Sequence, residues 1–584
     1  MEYKFHTCSK LNSLAVTFKF LIKMKPLQKI LRLFLLLVLL MSCNNRTSSP
    51  SKDAISQLHL KRGEIISCGP PSAQFGTVNF DITCDASAKE DFNLAVEMLH
   101  SFEYEEAEKA FAEVIEKSPN CAMAYWGVAM CNFHPLWAPP TEAELQKGAK
   151  AIQIANSLQT KSGRESDYIN AIGLFYKDWD KNDHHTRCVF FEKAMENLHI
   201  KYPADNEAAI FYALSLVASA SPADKTYANQ KKANDILNAF YVKETSHPGV
   251  IHYIIHTNDY PGLAQLALPA ARKYAQVAPS SPHALHMPSH IFTRLGLWDE
   301  DINSNLAAVS SAQCYTEQSK KNGHWSEELH ALDYLVYSYL QKGDNISAKN
   351  EVKYAHTIAN VWGVTNTAAY ALAAIPSRYV LENKEWKEAA STQLLQANFS
   401  WQSFPWQEAI VHFTRLLGAV HIGNIDEANN ELTKLCQLKD RLEKQKDDYK
   451  AKQVAVQIKA GEAWIQFKQG NNVDALNKMK LAAAMEDSTG KHPVTPGEVL
   501  PARELLGDML MEAKQFKDAL TAYEAILAKS PNRFNSVYNA AIAAEKSGNR
   551  QKAIFYFRQL LTIADTVSSN RPELVTAKAF LKTN

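Results

Sequence analysis

Residues 506–531 read LGDMLMEAKQFKDALTAYEAILAKSP, and their arrangement of small and bulky residues returns one step further along the chain. Leu506-Gly507, Ala519 and Tyr523, closed by Pro531, are followed at a strict 34-residue interval by Ala540-Ala541, Ala553 and Phe557, with Gly548 at the turn. Small residues let two antiparallel helices approach closely, and the bulky ones fill the seam against the next hairpin. A unit of this size cannot bury its apolar face alone, so the stretch predicts stacked helical hairpins.

Working outward, Leu94-Ala95, Ala107, Phe111 and Pro119 repeat the pattern near the other end of the chain. Between the two ends, Gly262/Ala267, Gly296/Ala308, Gly343/Ala348 and Trp386/Ala389 each mark a helix turn and the helix that follows. The pattern resembles the tetratricopeptide repeat. It predicts an all-α chain built as a right-handed α-solenoid, a superhelix of about eleven helical hairpins. The array spans 86–486 and the C-terminal repeats 499–584, with the Pro/Gly loop 487–498 between them. Phe133 to Thr141 also breaks the period, and Leu438 to Lys452 is charge-rich enough to read as a solvated helix end. Gly76 to Phe80 predicts a short extended piece against the first repeat.

The start of the chain has a different logic. Lys25, Lys29 and Arg32 precede the apolar run Leu33 to Met41, too short to span a bilayer comfortably. Residues 1–43 therefore read as a signal peptide whose end, Leu40-Met41-Ser42-Cys43, resembles the bacterial lipobox. That resemblance implies lipidation at Cys43 and a lipid-anchored protein of the bacterial cell envelope, at the outer membrane or facing the periplasm. The tripartite signal starts naturally at Met24, an alternative start. Residues 44–85 follow as a polar tether and an irregular segment.

The 584-residue chain has a formal charge of +1, and removing 1–43, with seven Lys/Arg and one acidic residue, leaves −5. Neither value suits nucleic acid. Seven scattered cysteines follow Cys43, an odd number that argues against a disulfide framework; Cys68 and Cys84 are placed to form a single bridge.

Chemistry concentrates in the histidines. Taking Gly262, Gly296 and Gly343 as ends of successive A helices, the second, fifth and ninth positions of each helix face the groove. These are Gly249, His252, His256, His283, His286, His290, His330, Asp333 and Tyr337, six of the nine being histidine where 19 in 584 gives about 0.3 by chance. Arg378 falls at the ninth position of the next unit. Pairs four apart share a helix face, so His252/His256 and His286/His290 with His330 form a candidate metal set for zinc, nickel or copper. Asp333 is placed to orient an imidazole from behind, and Glu327 or Glu328 to act as general base. The alternative is a groove of imidazoles hydrogen-bonded to each other and to water, or gripping an anionic peptide. Pro288 interrupts the second pair.

Cys84, Leu99 to Ala107, Ala124 to Gly127, His134 to Trp137, His247 to His256 and His286 to Phe292 together resemble a family of exported bacterial tetratricopeptide-repeat proteins. The resemblance implies a repeat scaffold with a common groove and brings no settled activity. Two functions follow as expectations: a lipid-anchored protein that binds a protein, peptide or small ligand in its groove, and a metal-dependent enzyme, hydrolytic or oxidative, on the same helices. The membrane enters only through the anchor, and nucleic acid is not expected as a partner.

Overall fold

A computed structural model describes residues 49–583 except 71–73, 137–138, 222, 568 and 570. Residues 1–48, with the expected signal and Cys43, lie outside the described residues. The rest is an α-solenoid of twelve helical hairpins followed by the closing helix Pro572–Thr583. The paired strands among the described residues are two two-residue pieces, His324–Trp325 and Val361–Trp362, joined in parallel.

Nine helices carry the argument: α1 (Lys89–His100), α2 (Asn206–Ala218), α3 (Pro248–Asn258), α4 (Pro282–His286), α5 (Pro288–Leu295), α6 (Trp298–Gln318), α7 (Ser326–Lys342), α8 (Asn366–Glu382) and α9 (Phe534–Lys546). Repeat chemistry shapes them locally. The ring of Tyr523 fills the space a Cβ on Gly507 would take, and that of Phe111 does the same at Gly127, so hairpin seams close only because these positions lack a side chain. Gly296 and Gly343 end α5 and α7 in the left-handed region, at φ of +66° and +79°. Leu438 and Leu442 are buried within the helix Ile425–Lys444, so the charge-rich stretch is a packed hairpin and not a solvated end: its apolar residues recur at the helical period under the charges.

The array curls onto itself. Trp298 at the start of α6 donates its indole N–H to the Asn532 carbonyl at 2.9 Å, and the Phe534 N–H at the start of α9 donates to Gln341 of α7 at 3.1 Å. Arg533 is buried in ion pairs with Glu382 of α8 and Glu504. On the other side the turn after α1 reaches the middle of the array, where Ser281 donates to Glu103 at 2.5 Å and Tyr315 to Glu106 at 2.6 Å.

Residues 58–70 and 74–84 form a strap. Its backbone N–H groups donate to Glu108, Glu106, Ser280, Glu97, Asn93 and Glu165, and Phe80 packs among Phe92, Trp126 and Tyr168. Two disulfides fix it, Cys68–Cys314 and Cys84–Cys121. The Cys68–Cys84 pairing considered from the sequence is thus corrected, and so is the expectation of no disulfide framework, because curling brings α6 and the second hairpin to the two cysteines.

One apolar core cluster runs from Leu58 to Phe292 and another starts at Leu329.

Candidate metal centre

Helix starts set the ring directions. His247 caps α3 by accepting the Val250 N–H on Nδ1 at 3.3 Å, and Pro248 takes the first turn, where a missing N–H costs nothing. His252 and His256 then lie one turn apart on the buried face. Ser281 caps α4 by accepting the Ala284 N–H at 3.1 Å, Pro282 follows, and Pro288 restarts the helix as α5.

Two triads result. In the first, His256 Nε2 and His283 Nε2 approach His252 Nε2 at 2.8 and 3.2 Å. In the second, His286 Nε2 and His290 Nε2 are 3.2 Å apart, and the His330 ring lies 4.3 Å from that of His286, centroid to centroid. Within each triad the three donor atoms lie within 4.8 Å of one another, close enough for one ion. The single set of His252, His256, His286, His290 and His330 is thereby corrected to two sets, and His283 joins the first. His283 and His286, three residues apart on α4, serve different triads, His283 beside His252 and His286 beside His290 and His330.

The far side of each ring decides which nitrogen carries the proton. His252 Nδ1–H donates to the His100 carbonyl at 2.6 Å. Asn305 donates its amide to Asp301, which turns its oxygen to accept from His286 Nδ1–H at 2.7 Å. His290 Nδ1–H donates to the Asp259 carboxylate at 3.1 Å. The Nε2 atoms of His252, His286 and His290 therefore present lone pairs inward, the arrangement in which partners behind metal-ligating histidines fix tautomer and ring angle.

Protons cannot easily occupy these sites. Burial holds His252, His256 and His286 well below the usual imidazole range, and His330 is brought down to about 3 by burial in spite of Glu327. Burial also lowers His290, although Asp259 pulls the other way. Against its own burial, Asp259 is kept ionised by Lys491, Arg294 and His290. Lys491 comes from the loop after residue 489, is itself lowered to about 7 by burial, and donates to the Thr495 carbonyl at 2.6 Å. The loop that breaks the repeat thus brings a cation within electrostatic reach of the second triad.

The remaining predicted residues divide. Glu327 faces the first triad, 4.0 Å from His283 Nδ1, with its side chain one-third exposed. Glu328 points elsewhere, to His324, Tyr354 and Gln313, which removes it as a base. Asp333 orients no imidazole: it pairs with Arg378 at 3.1 Å, and Arg378 also donates to the carbonyls of Gly497 and Glu498. Tyr337 contacts Arg533. The groove at Asp333, Tyr337 and Arg378 is filled by the chain's own loop and C-terminal hairpins, so these three are not open to a ligand.

Sequence reasoning missed the partners. Asp259, Asn305 and the His100 carbonyl carry no spacing signal, since each comes from a different hairpin. A third group, His100, Glu207 and His247, is also buried, but its Glu207 carboxylate already accepts from His100 Nε2 at 2.9 Å and His247 Nε2 at 2.8 Å. Its protons are in place, and it braces α1, α2 and α3.

Residues 504–567 match the family model described as tetratricopeptide repeat. No curated protein matches the chain. Solved structures with similar architecture include Naa15/Naa10 bound to HypK-THB, at 10% identity over 85% of this chain and 91% of that one, TM-score 0.25. The APC/C hetero-tetramer Cut9-Hcn1 follows at 12% identity over 85% and 89%, TM-score 0.25. An IFIT1 monomeric mutant with Gppp-AAAA gives 10% identity over 88% and 100%, TM-score 0.30.

Proposed function

We propose that this tetratricopeptide-repeat protein is a metalloprotein that holds two transition-metal ions, one in each histidine triad, and uses them in catalysis. The observation that carries the reading is the facing pair His286 Nε2 and His290 Nε2, 3.2 Å apart with both rings protonated on the far nitrogen. Two lone pairs aimed at each other in a buried layer repel, and a cation between them removes the repulsion. Three protein nitrogens per ion leave a fourth position open, the property that separates catalytic from structural sites. Glu327, one-third exposed beside the first triad, is placed to move a proton at that opening.

The test is metal content. Protein purified without chelator and measured by elemental analysis should carry two ions per chain; His256→Gln should leave one, and His290→Gln should leave the other. A chain that holds none after equilibration with zinc, copper and nickel ends this reading.

The tetratricopeptide fold is that of a protein-interaction scaffold, which supports a second reading in which outer surfaces of the array dock a partner. Export and lipidation at Cys43 fit both. Two disulfides on the strap suit an oxidising compartment, as the signal-like N-terminus does. Cys43→Ala should release the mature chain from the membrane fraction or block its processing; unchanged size and retention would count against the anchor.

A further inference from the structure

We infer that Phe102 is a movable cover on the first triad, past which that site exchanges its ion with solvent, while the second triad keeps its ion sealed in. The inference rests on the two-metal reading above and concerns how the metal comes and goes.

Each triad lies against one aromatic ring that meets all three of its imidazoles. Over the first, the Phe102 ring is 4.5 Å from His252, 5.4 Å from His256 and 5.8 Å from His283, centroid to centroid. Over the second, the Tyr334 ring is 4.9 Å from His286, 5.0 Å from His290 and 5.4 Å from His330. The two covers are mounted differently. Tyr334 stands within α7, is fully buried, and has its hydroxyl 3.5 Å from His290 Nδ1. Phe102 is half-buried and sits in the turn after α1. A ring on a surface turn swings by rotating a few bonds, whereas a ring inside a close-packed helix moves only with its neighbours.

The backbone singles Phe102 out. Its φ is +59°, in the left-handed region that bulky side chains enter at a cost. The same position, two residues past a helix end, recurs at Lys320, Lys384, Lys446 and Lys514 with φ between +54° and +59°, and there the side chain is an exposed lysine. The turn itself therefore asks for no aromatic ring. The ring at 102 answers to what lies beneath it, the triad.

Exposure and charge agree. His283 is the one histidine of the six that is not buried, and Glu327 beside it is one-third exposed. Glu103, the residue after Phe102, accepts the Ser281 hydroxyl at 2.5 Å and the His283 backbone N–H at 3.5 Å. Two carboxylates thus border the first triad, and they draw a metal cation and repel an anion. At the second triad the Asp259 carboxylate is taken by Arg294, 2.8 Å away, and Lys491 adds a further cation.

The experiment uses the full chain, loaded with zinc and chased with excess pyridylazoresorcinol, whose absorbance follows each ion as it leaves. The wild-type chain should release its two ions in two phases at least ten-fold apart in rate. His290→Gln, which keeps the first triad, should show the fast phase alone, and His256→Gln the slow one. Phe102→Asn, whose side chain tolerates the left-handed region, should speed the fast phase at least ten-fold and leave the slow phase unchanged. A single phase, or a fast phase that survives in His256→Gln, overturns the inference and keeps the metal reading. An unaltered fast phase in Phe102→Asn does the same. If that change loosens the whole fold and speeds both ions, Phe102→Leu decides, because it keeps an apolar side chain at the turn and removes the ring: release of the first ion at the wild-type rate overturns the inference, and faster release of that ion alone upholds it. A chain that takes up no zinc sinks both readings.

Discussion

The Nε2 atoms of His286 and His290 face each other at 3.2 Å, while Asn305 and Asp259 accept the protons on the opposite sides of the two rings. The fold therefore holds an unfavourable contact that a cation relieves. A ligand that binds only the folded chain stabilises it by about 4 kcal/mol at a thousand times its Kd. Calorimetry of the metal-stripped chain with and without copper or zinc should show this as a raised Tm; identical melting would argue that the triads bind nothing.

Asp259 orients the second triad through its hydrogen bond with His290 and reaches the first by its charge alone, at His256. Losing such a partner typically costs about 10- to 100-fold in metal affinity. Asp259→Asn should weaken the ion of the second triad by that amount, measured by competition with a chelator, and the ion of the first triad much less. Equal weakening of both would show that the triads are not independent.

Gly249 has a packing reason to lack a side chain: a Cβ there would lie 2.4 Å from His100 Nδ1. The His100 carbonyl anchors His252, so Gly249→Ala should disturb the first triad from outside it. Overpacking of this kind costs about 1–3 kcal/mol. Denaturant unfolding should report the loss, and metal titration should show the first site weakened with the second intact.

Acid should destabilise the metal-free chain. In the unfolded state the histidines titrate near about 6.5, whereas burial brings His330 down to about 3 and holds His252, His256 and His286 well below their usual range. As pH falls below about 6.5, the unfolded chain takes up protons that the fold refuses, and each such histidine removes about 1.4 kcal/mol of stability per pH unit. Stability should be flat in these groups above neutrality and fall steeply between about pH 6 and 4. Urea midpoints that do not move over that window would contradict the burial of the triads.

Cys68–Cys314 closes a long loop, its ends 246 positions apart in sequence. Cys314→Ser should cost about 2–5 kcal/mol by freeing the unfolded chain, with metal stoichiometry preserved. Loss of both ions on that change would mean that the strap shapes the triads.

Much of the architecture was legible because it is local. The Leu506-Gly507, Ala519 and Tyr523 pattern encodes a hairpin within its own residues, and four-residue spacing puts His252 beside His256 wherever the helix goes. The same spacing cannot say which faces meet. His283 and His286 were expected in one groove; from the same short helix, one meets His252 and the other meets His290 and His330. Glu327 and Glu328 are neighbours in sequence, yet helical rotation gives one to His283 and the other to His324. Arg378 and Asp333 sit at groove positions, but residues 497 and 498 occupy that groove. The sequence by itself determined the repeat, the helices and the inner row of histidines, because each depends on residues within one or two turns. The tertiary structure alone decided the two triads, their proton-fixing partners and the Cys68–Cys314 link, because these depend on how far a chain of hairpins curls, and that curl is set by packing between residues hundreds of positions apart.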